Sequence, residues 1–291
     1  MRNPSWNLRE GDVVLLFQTL ALLVAAILWT GIGLAFIAFP LPLAIAWLLV
    51  LFAAFLWLAV RRGKGRRRAR GLATLRLRAP GRAALPLFFA GLATGVFGLS
   101  TIVLGTHAGL LHPSDSPDIF DGYWTRPGGW LPVGFMMLVF APVSEEFFFR
   151  GWMQRPIERR FGPAIAIAVT TILFVLAHGE PTAIATEAVG GLVMGFAVVA
   201  TRSIWSAVLL HSGNNFFAFT LSLLFGSRFD SADAVYRDLG PWPLLAMAVL
   251  SSVAIVGILM YLRRFRSAHS RTEHLTLPPL ADSGAVAASQ G

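Results

Sequence analysis

Long apolar runs separated by short polar stretches organise this chain. A helix needs about 20 apolar residues to cross a bilayer. Runs of that kind fall at Val13–Phe39, Leu41–Val60, Ala83–Leu111, Leu131–Met153, Pro163–His178, Thr182–Thr201, Ile204–Phe225 and Pro241–Leu262. The pattern predicts an all-α fold, a polytopic transmembrane helix bundle of about eight transmembrane helices spanning residues 1–266. The first run is too long for the apolar region of a signal peptide, and no small-residue cleavage site ends it, so it is read as a retained anchor. Residues 267–291 are rich in Ser, Ala and Pro and lack an apolar period, so they are expected to form a disordered cytoplasmic tail. No internal repeat is visible.

Composition supports the membrane reading. Of the 291 residues, 56% are hydrophobic and 13% charged, a balance that a domain of this size could not present to water. The chain has no cysteine, which excludes disulfides, thiolate metal sites and cysteine nucleophiles. Its net charge of +9 would suggest a nucleic-acid partner if it covered one face of a soluble domain. Instead ten Lys and Arg lie between Arg61 and Arg82 with no acid among them, and others cluster at 150–160 and 263–271. Each group flanks an apolar run, as the positive-inside rule requires of cytoplasmic loops. The expected partner is therefore the lipid bilayer and not nucleic acid, with some attraction to anionic lipid. The loops 112–130 and 226–240 hold most of the loop aspartates and are expected outside, which leaves both termini cytosolic. Lys64 is the sole Lys among many Arg, a bias of GC-rich genomes that points to a bacterial inner (cytoplasmic) membrane.

A charge at the bilayer centre costs at least ~2.5 kcal/mol, so ionisable residues inside the apolar runs call for a reason. They occur in Glu145-Glu146-Phe147-Phe148-Phe149-Arg150, in Phe174-Val175-Leu176-Ala177-His178, at Glu180 and Glu187, and in His211-Ser212-Gly213-Asn214-Asn215. Glu146 and Arg150 stand four apart with the acid first, the favourable order for a helical ion pair. Glu145 points about 100° away around the helix and has no such partner, so it is the carboxylate left free to act. His211 and Asn215 are also four apart and are expected to project side by side into one space. The Gly179-Glu180-Pro181 turn between two short runs is expected to be sunk into the membrane, lined by protein or water. Each piece has an ordinary structural reading, and for Glu187 that reading is kept. His107, His112, His269 and His274 lie at a membrane edge or in the tail and are not candidates.

Taken in order, Glu-Glu-x-x-x-Arg, Phe-x-x-x-His and His-x-x-x-Asn on successive membrane segments resemble the CPBP family of intramembrane proteases. That family is also called the CAAX protease and bacteriocin-processing, or Abi, family. The likeness runs from Phe140 to Phe219, a motif core at 140–219 that includes Phe149-Arg150-Gly151 and Ser203-Ile204-Trp205. The resemblance implies an intramembrane endopeptidase acting on a peptide or membrane-protein substrate. It implies that Glu145 and His178 activate a water, that His211 and Asn215 stabilise the oxyanion, and that Glu146 and Arg150 brace Glu145. Amide hydrolysis needs those two functions, a base at the attacking water and donors at the developing oxyanion.

A divalent metal such as zinc is the alternative, because Glu145, His178 and His211 would supply three ligands and leave a fourth place for water. Asn is an unusual zinc ligand, which favours the oxyanion role for Asn215 and a metal-free glutamate mechanism. The sequence contains no His-Glu-x-x-His and no Gly-x-Gly-Asp. Two rival readings are a non-proteolytic bacteriocin-immunity or scaffold protein and a proton-coupled carrier, the latter weakened by the missing repeat symmetry.

Overall fold

The computed structural model describes residues 10–61, 76–112, 120–179, 184–226 and 231–276. Its helices are α1 (Glu10–Leu34), α2 (Leu41–Arg61), α3 (Ala84–His107), the short α4 (Asp121–Trp124) and a long composite rod α5 (Trp130–Phe161). They continue with α6 (Pro163–His178), α7 (Ile184–Thr201), α8 (Ile204–Phe225), the short α9 (Ala232–Leu239) and α10 (Pro241–Thr276). The all-α bundle expected from the apolar runs is what the chain forms. Among the described residues six helical stretches are long and apolar enough to cross a membrane, while α6 and the Leu41–Phe55 stretch of α2 are shorter apolar helices. The last helix runs on to Thr276, into the segment read as a tail, and residues 277–291 lie outside the described residues.

Large apolar side chains face outward along these helices: Phe17 is 67% exposed, Leu176 65% and Leu250 69%. In water such a surface would aggregate, whereas against lipid tails it costs nothing. Between helices in lipid, association relies on close packing through small residues. Gly91 of α3 and Gly213 of α8 meet at such a crossing, where a Cβ on Gly91 would run into the Leu210 carbonyl oxygen and one on Gly213 into that of Phe88.

Two basic regions meet at one end of the bundle. Arg160, near the end of α5, pairs with Asp12 at the start of α1 at 2.5 Å, and Arg76 pairs with Glu158 of α5 at 2.8 Å. Residues 76–78 then run against the α7–α8 turn, where Ile204 N–H donates to the Arg76 carbonyl at 2.9 Å and Ser203 Oγ donates to the Arg78 carbonyl. Placing these arginines together agrees with the charge pattern that put the 61–82 and 154–160 stretches on one side. Most of the former, residues 62–75, lies outside the described residues.

The rod α5 is not a uniform α-helix. Two stretches, Met136–Phe140 and Phe147–Met153, widen into π-helical turns. Pro142 explains the first. Proline has no N–H: in the α-helical register this leaves the Leu138 carbonyl without a donor, and in the π register, where Ala141 N–H already bonds the Met136 carbonyl, it leaves that of Met137 without one. Neighbouring α8 fills both places: Ser212 Oγ donates to the Leu138 carbonyl at 2.9 Å and Asn215 Nδ2 donates to the Met137 carbonyl at 2.8 Å. These two bonds lock α8 beside α5 and fix which residues of the two helices face each other.

Candidate active site

The two adjacent glutamates of α5 enter two separate groups of side chains packed around one aromatic ring. Phe174 of α6 is fully buried, and its ring centroid lies 4.4 Å from that of His178, 5.8 Å from that of His211 and 4.5 Å from the Arg150 guanidinium carbon. One group is Glu145 and His178. The other is Glu146, Arg150 and His211.

The closed group is an ion-pair triad. Arg150 Nη1 donates to Glu146 Oε1 at 3.0 Å, and His211 Nδ1 lies 3.0 Å from the same oxygen. The Glu146 and Arg150 side chains are wholly buried, and that of His211 is 7% exposed. Arg150 Nη2 reaches the Gly191 carbonyl and Gln154 Nε2 the Gly195 carbonyl, both on α7, at 3.4 and 3.2 Å. Two glycines four apart on α7 therefore receive two polar side chains four apart on α5. The triad stays one donor short, since Glu146 Oε2 has no hydrogen-bond partner. Beyond His211 lies a small cavity of about 10 Å³, lined also by Glu187, Thr94 and Asn214, with room for a single water.

The open group is different. Helix α6 stops at His178 because Gly179 takes the left-handed conformation, φ 65°, and the imidazole projects from that last turn. His178 Nδ1 lies 2.9 Å from the Phe174 carbonyl, which can only accept, so Nδ1 carries the proton and Nε2 is left as an acceptor. Nε2 stands 3.9 Å from Glu145 Oε2, too far for a direct hydrogen bond. Glu145 Oε1 accepts from Thr30 Oγ1 of α1 at 3.4 Å, while Oε2 has no hydrogen-bond partner. The pair borders a cavity of about 420 Å³ shared with Thr30, Gly31, Phe149 and Ala177. His178 therefore reaches the level of Glu145, although it is the last residue of its apolar helix. Residues 180–183 lie outside the described residues, and with them the sunken turn and Glu180.

The six motif residues are thus brought into one region but not onto one point. Glu145 joins His178, and Glu146 joins Arg150 and His211. Asn215 spends one amide hydrogen on the Met137 carbonyl and does not share a partner with His211. A metal fits this arrangement poorly. His211 is committed at Nδ1 to Glu146, and among the described residues no group of three His, Asp or Glu side chains could hold an ion. No sequence motif marked Thr30 or Pro142, and Ser212 stood in the His211–Asn215 stretch without a role. A hydroxyl in an otherwise apolar run was the signal for Thr30, and a proline inside a motif-bearing helix the signal for Ser212.

What the fold and these groups define is a membrane-embedded helical protein with a carboxylate–imidazole site beside a cavity. Residues 127–217, which hold all six motif residues, match the family model described as Type II CAAX prenyl endopeptidase Rce1-like. That match agrees with the CPBP resemblance of the motifs and indicates a protease among integral membrane proteins. No curated protein and no solved structure matches the chain.

Proposed function

We propose that this protein is an intramembrane endopeptidase of the CAAX-protease and bacteriocin-processing type, in which Glu145 and His178 hold and activate the attacking water. The observation that carries the reading is the pair of facing acceptors, the buried Glu145 Oε2 and the Nε2 of the exposed His178, 3.9 Å apart at the edge of a cavity. Two acceptors at that distance are satisfied together by one water that donates a hydrogen to each. As the water oxygen attacks the peptide carbonyl, Glu145 takes its proton and later returns it to the leaving amine. The oxyanion role of His211 and Asn215 rests on the motif resemblance: a His211 ring carrying both protons donates from Nε2 as well as Nδ1, and Asn215 keeps a second amide hydrogen beyond the one given to Met137. Glu146 and Arg150 hold the rod that carries Glu145. The substrate is a peptide or membrane protein reached from the bilayer. The protein would lie in a bacterial inner membrane with its basic end and both termini in the cytosol.

The test incubates purified wild type, Glu145→Gln and His178→Ala with a membrane-protein extract and reads new peptide termini by mass spectrometry. Wild type should generate termini that both variants lose, by about 10²- to 10⁴-fold for a missing general base. Equal profiles from three folded proteins would remove catalysis and favour an immunity or scaffold role.

A further inference from the structure

We infer that α1 forms the substrate-side wall of this site, with Thr30 a positioning residue for Glu145 and Gly31 the gap that admits an apolar stretch of extended peptide; the inference rests on the peptidase reading. Neither residue falls in the 127–217 segment that matches a family model.

Ala26, Thr30 and Leu34 recur at four-residue spacing, with Ile27 and Gly31 beside them, so one stripe of α1 lines the 420 Å³ cavity. Leu28 and Val24 lie on the outward face of α1, 59% and 55% exposed. At the centre of the stripe Thr30 Oγ1 donates to Glu145 Oε1. A carboxylate held at one oxygen has a fixed rotation, and here that rotation leaves Oε2, buried and unpartnered, facing His178. The Glu145 side chain is 9% exposed, so no bulk water competes for that orientation.

Two glycines of the first apolar run show where room has been kept. A Cβ on Gly33 would lie 2.6 Å from the Phe140 ring, so Gly33 is a packing glycine. A Cβ on Gly31 would meet nothing within 4 Å. No contact in the fold explains a glycine there; an occupant of the cavity does. The walls around it are Ala26, Ile27, Leu34, Phe149 and Ala177, with the polar groups Thr30, Glu145 and His178 gathered at one place. That division suits an uncharged, extended segment whose side chains are apolar and whose backbone carbonyl is presented to the water site.

The experiment has two arms on full-length protein in lipid nanodiscs. In the first, dicyclohexylcarbodiimide, an apolar reagent for buried carboxyls, labels Glu145 and the adduct is read by peptide mass spectrometry. Gly31→Leu fills the gap without a clash and should slow labelling at least tenfold, while Leu28→Trp on the outward face should leave it unchanged. In the second, rates of terminus formation from the membrane extract are compared for Thr30→Val, Thr30→Ala and Thr30→Ser. Loss of the hydrogen bond should slow the first two by roughly 3- to 30-fold, and Ser should restore the rate because it keeps the hydroxyl. Thr30→Val as fast as wild type, or Gly31→Leu labelled as fast as wild type, would overturn the inference while cleavage itself stands. If wild type forms no termini, the peptidase reading fails separately and the labelling arm decides alone: Gly31→Leu must protect, and Thr30→Val must differ from Thr30→Ser.

Discussion

Glu145 and Glu146 are neighbours in sequence and share one helix, yet one is neutralised by an arginine and a histidine at a single oxygen and the other borders a cavity. Glu146 is wholly buried, and a single oxygen of it receives both Arg150 and His211. Glu145 has one long hydrogen bond to a hydroxyl and an oxygen with no hydrogen-bond partner, facing an imidazole across 3.9 Å. The 100° step of the helix separates them, and the Phe174 ring packs against both histidines. The difference teaches that charge inside a membrane protein divides into two kinds. A charge that is neutralised by its neighbours holds helices together, and a charge left incompletely satisfied beside a cavity is available for chemistry.

The largest effect expected from breaking this comparison is a crossed phenotype. Glu145→Gln should abolish cleavage by about 10²- to 10⁴-fold with little change in thermal midpoint, since it removes a base and no helix-to-helix bond. Glu146→Ala should leave Arg150 as an unpaired buried charge and cost about 3–5 kcal/mol of stability. Activity and thermal unfolding measured on both variants decide the matter: if the two behave alike in both assays, the division between a working and a bracing carboxylate is wrong. Replacing the pair together, Glu146→Leu with Arg150→Met, sharpens it. The double variant should be more stable than Glu146→Ala alone because no charge is stranded, although His211 then loses the partner of its Nδ1.

A smaller effect concerns the seam between α5 and α8. Ser212→Ala strips the Leu138 carbonyl of its donor and should cost about 1–3 kcal/mol. In a Pro142→Ala background the restored backbone N–H can take that carbonyl, so Ser212→Ala should cost less there. Equal costs in the two backgrounds, measured by thermal unfolding in one detergent, would show that proline does not create the place that Ser212 fills.

Several parts of this arrangement were legible from one dimension. Apolar run length located the helices, because crossing a bilayer imposes a minimum length on each. The Glu146–Arg150 pair followed from i,i+4 spacing and survives inside a π-helical stretch. Glu145 as the unpaired carboxylate followed from the same spacing. His211 and Asn215 show where that logic stops. Their spacing does set them on one face of α8, but their partners lie on α5: Nδ1 of His211 goes to Glu146 and the amide of Asn215 to a carbonyl that Pro142 left without a donor.

The sequence by itself determined the membrane class, the helices and which residues could be paired within a single helix, because hydrophobic length and 3.6-residue periodicity are local properties. Tertiary structure alone decided that His178 comes level with Glu145, that Phe174 packs against both histidines, and that Thr30 and Gly31 of a distant helix stand at the open edge of the site. Those facts depend on the depth and rotation of one helix against another. In lipid, both are set by glycine crossings and by polar groups seeking partners across the bundle, and no periodicity within one segment records them.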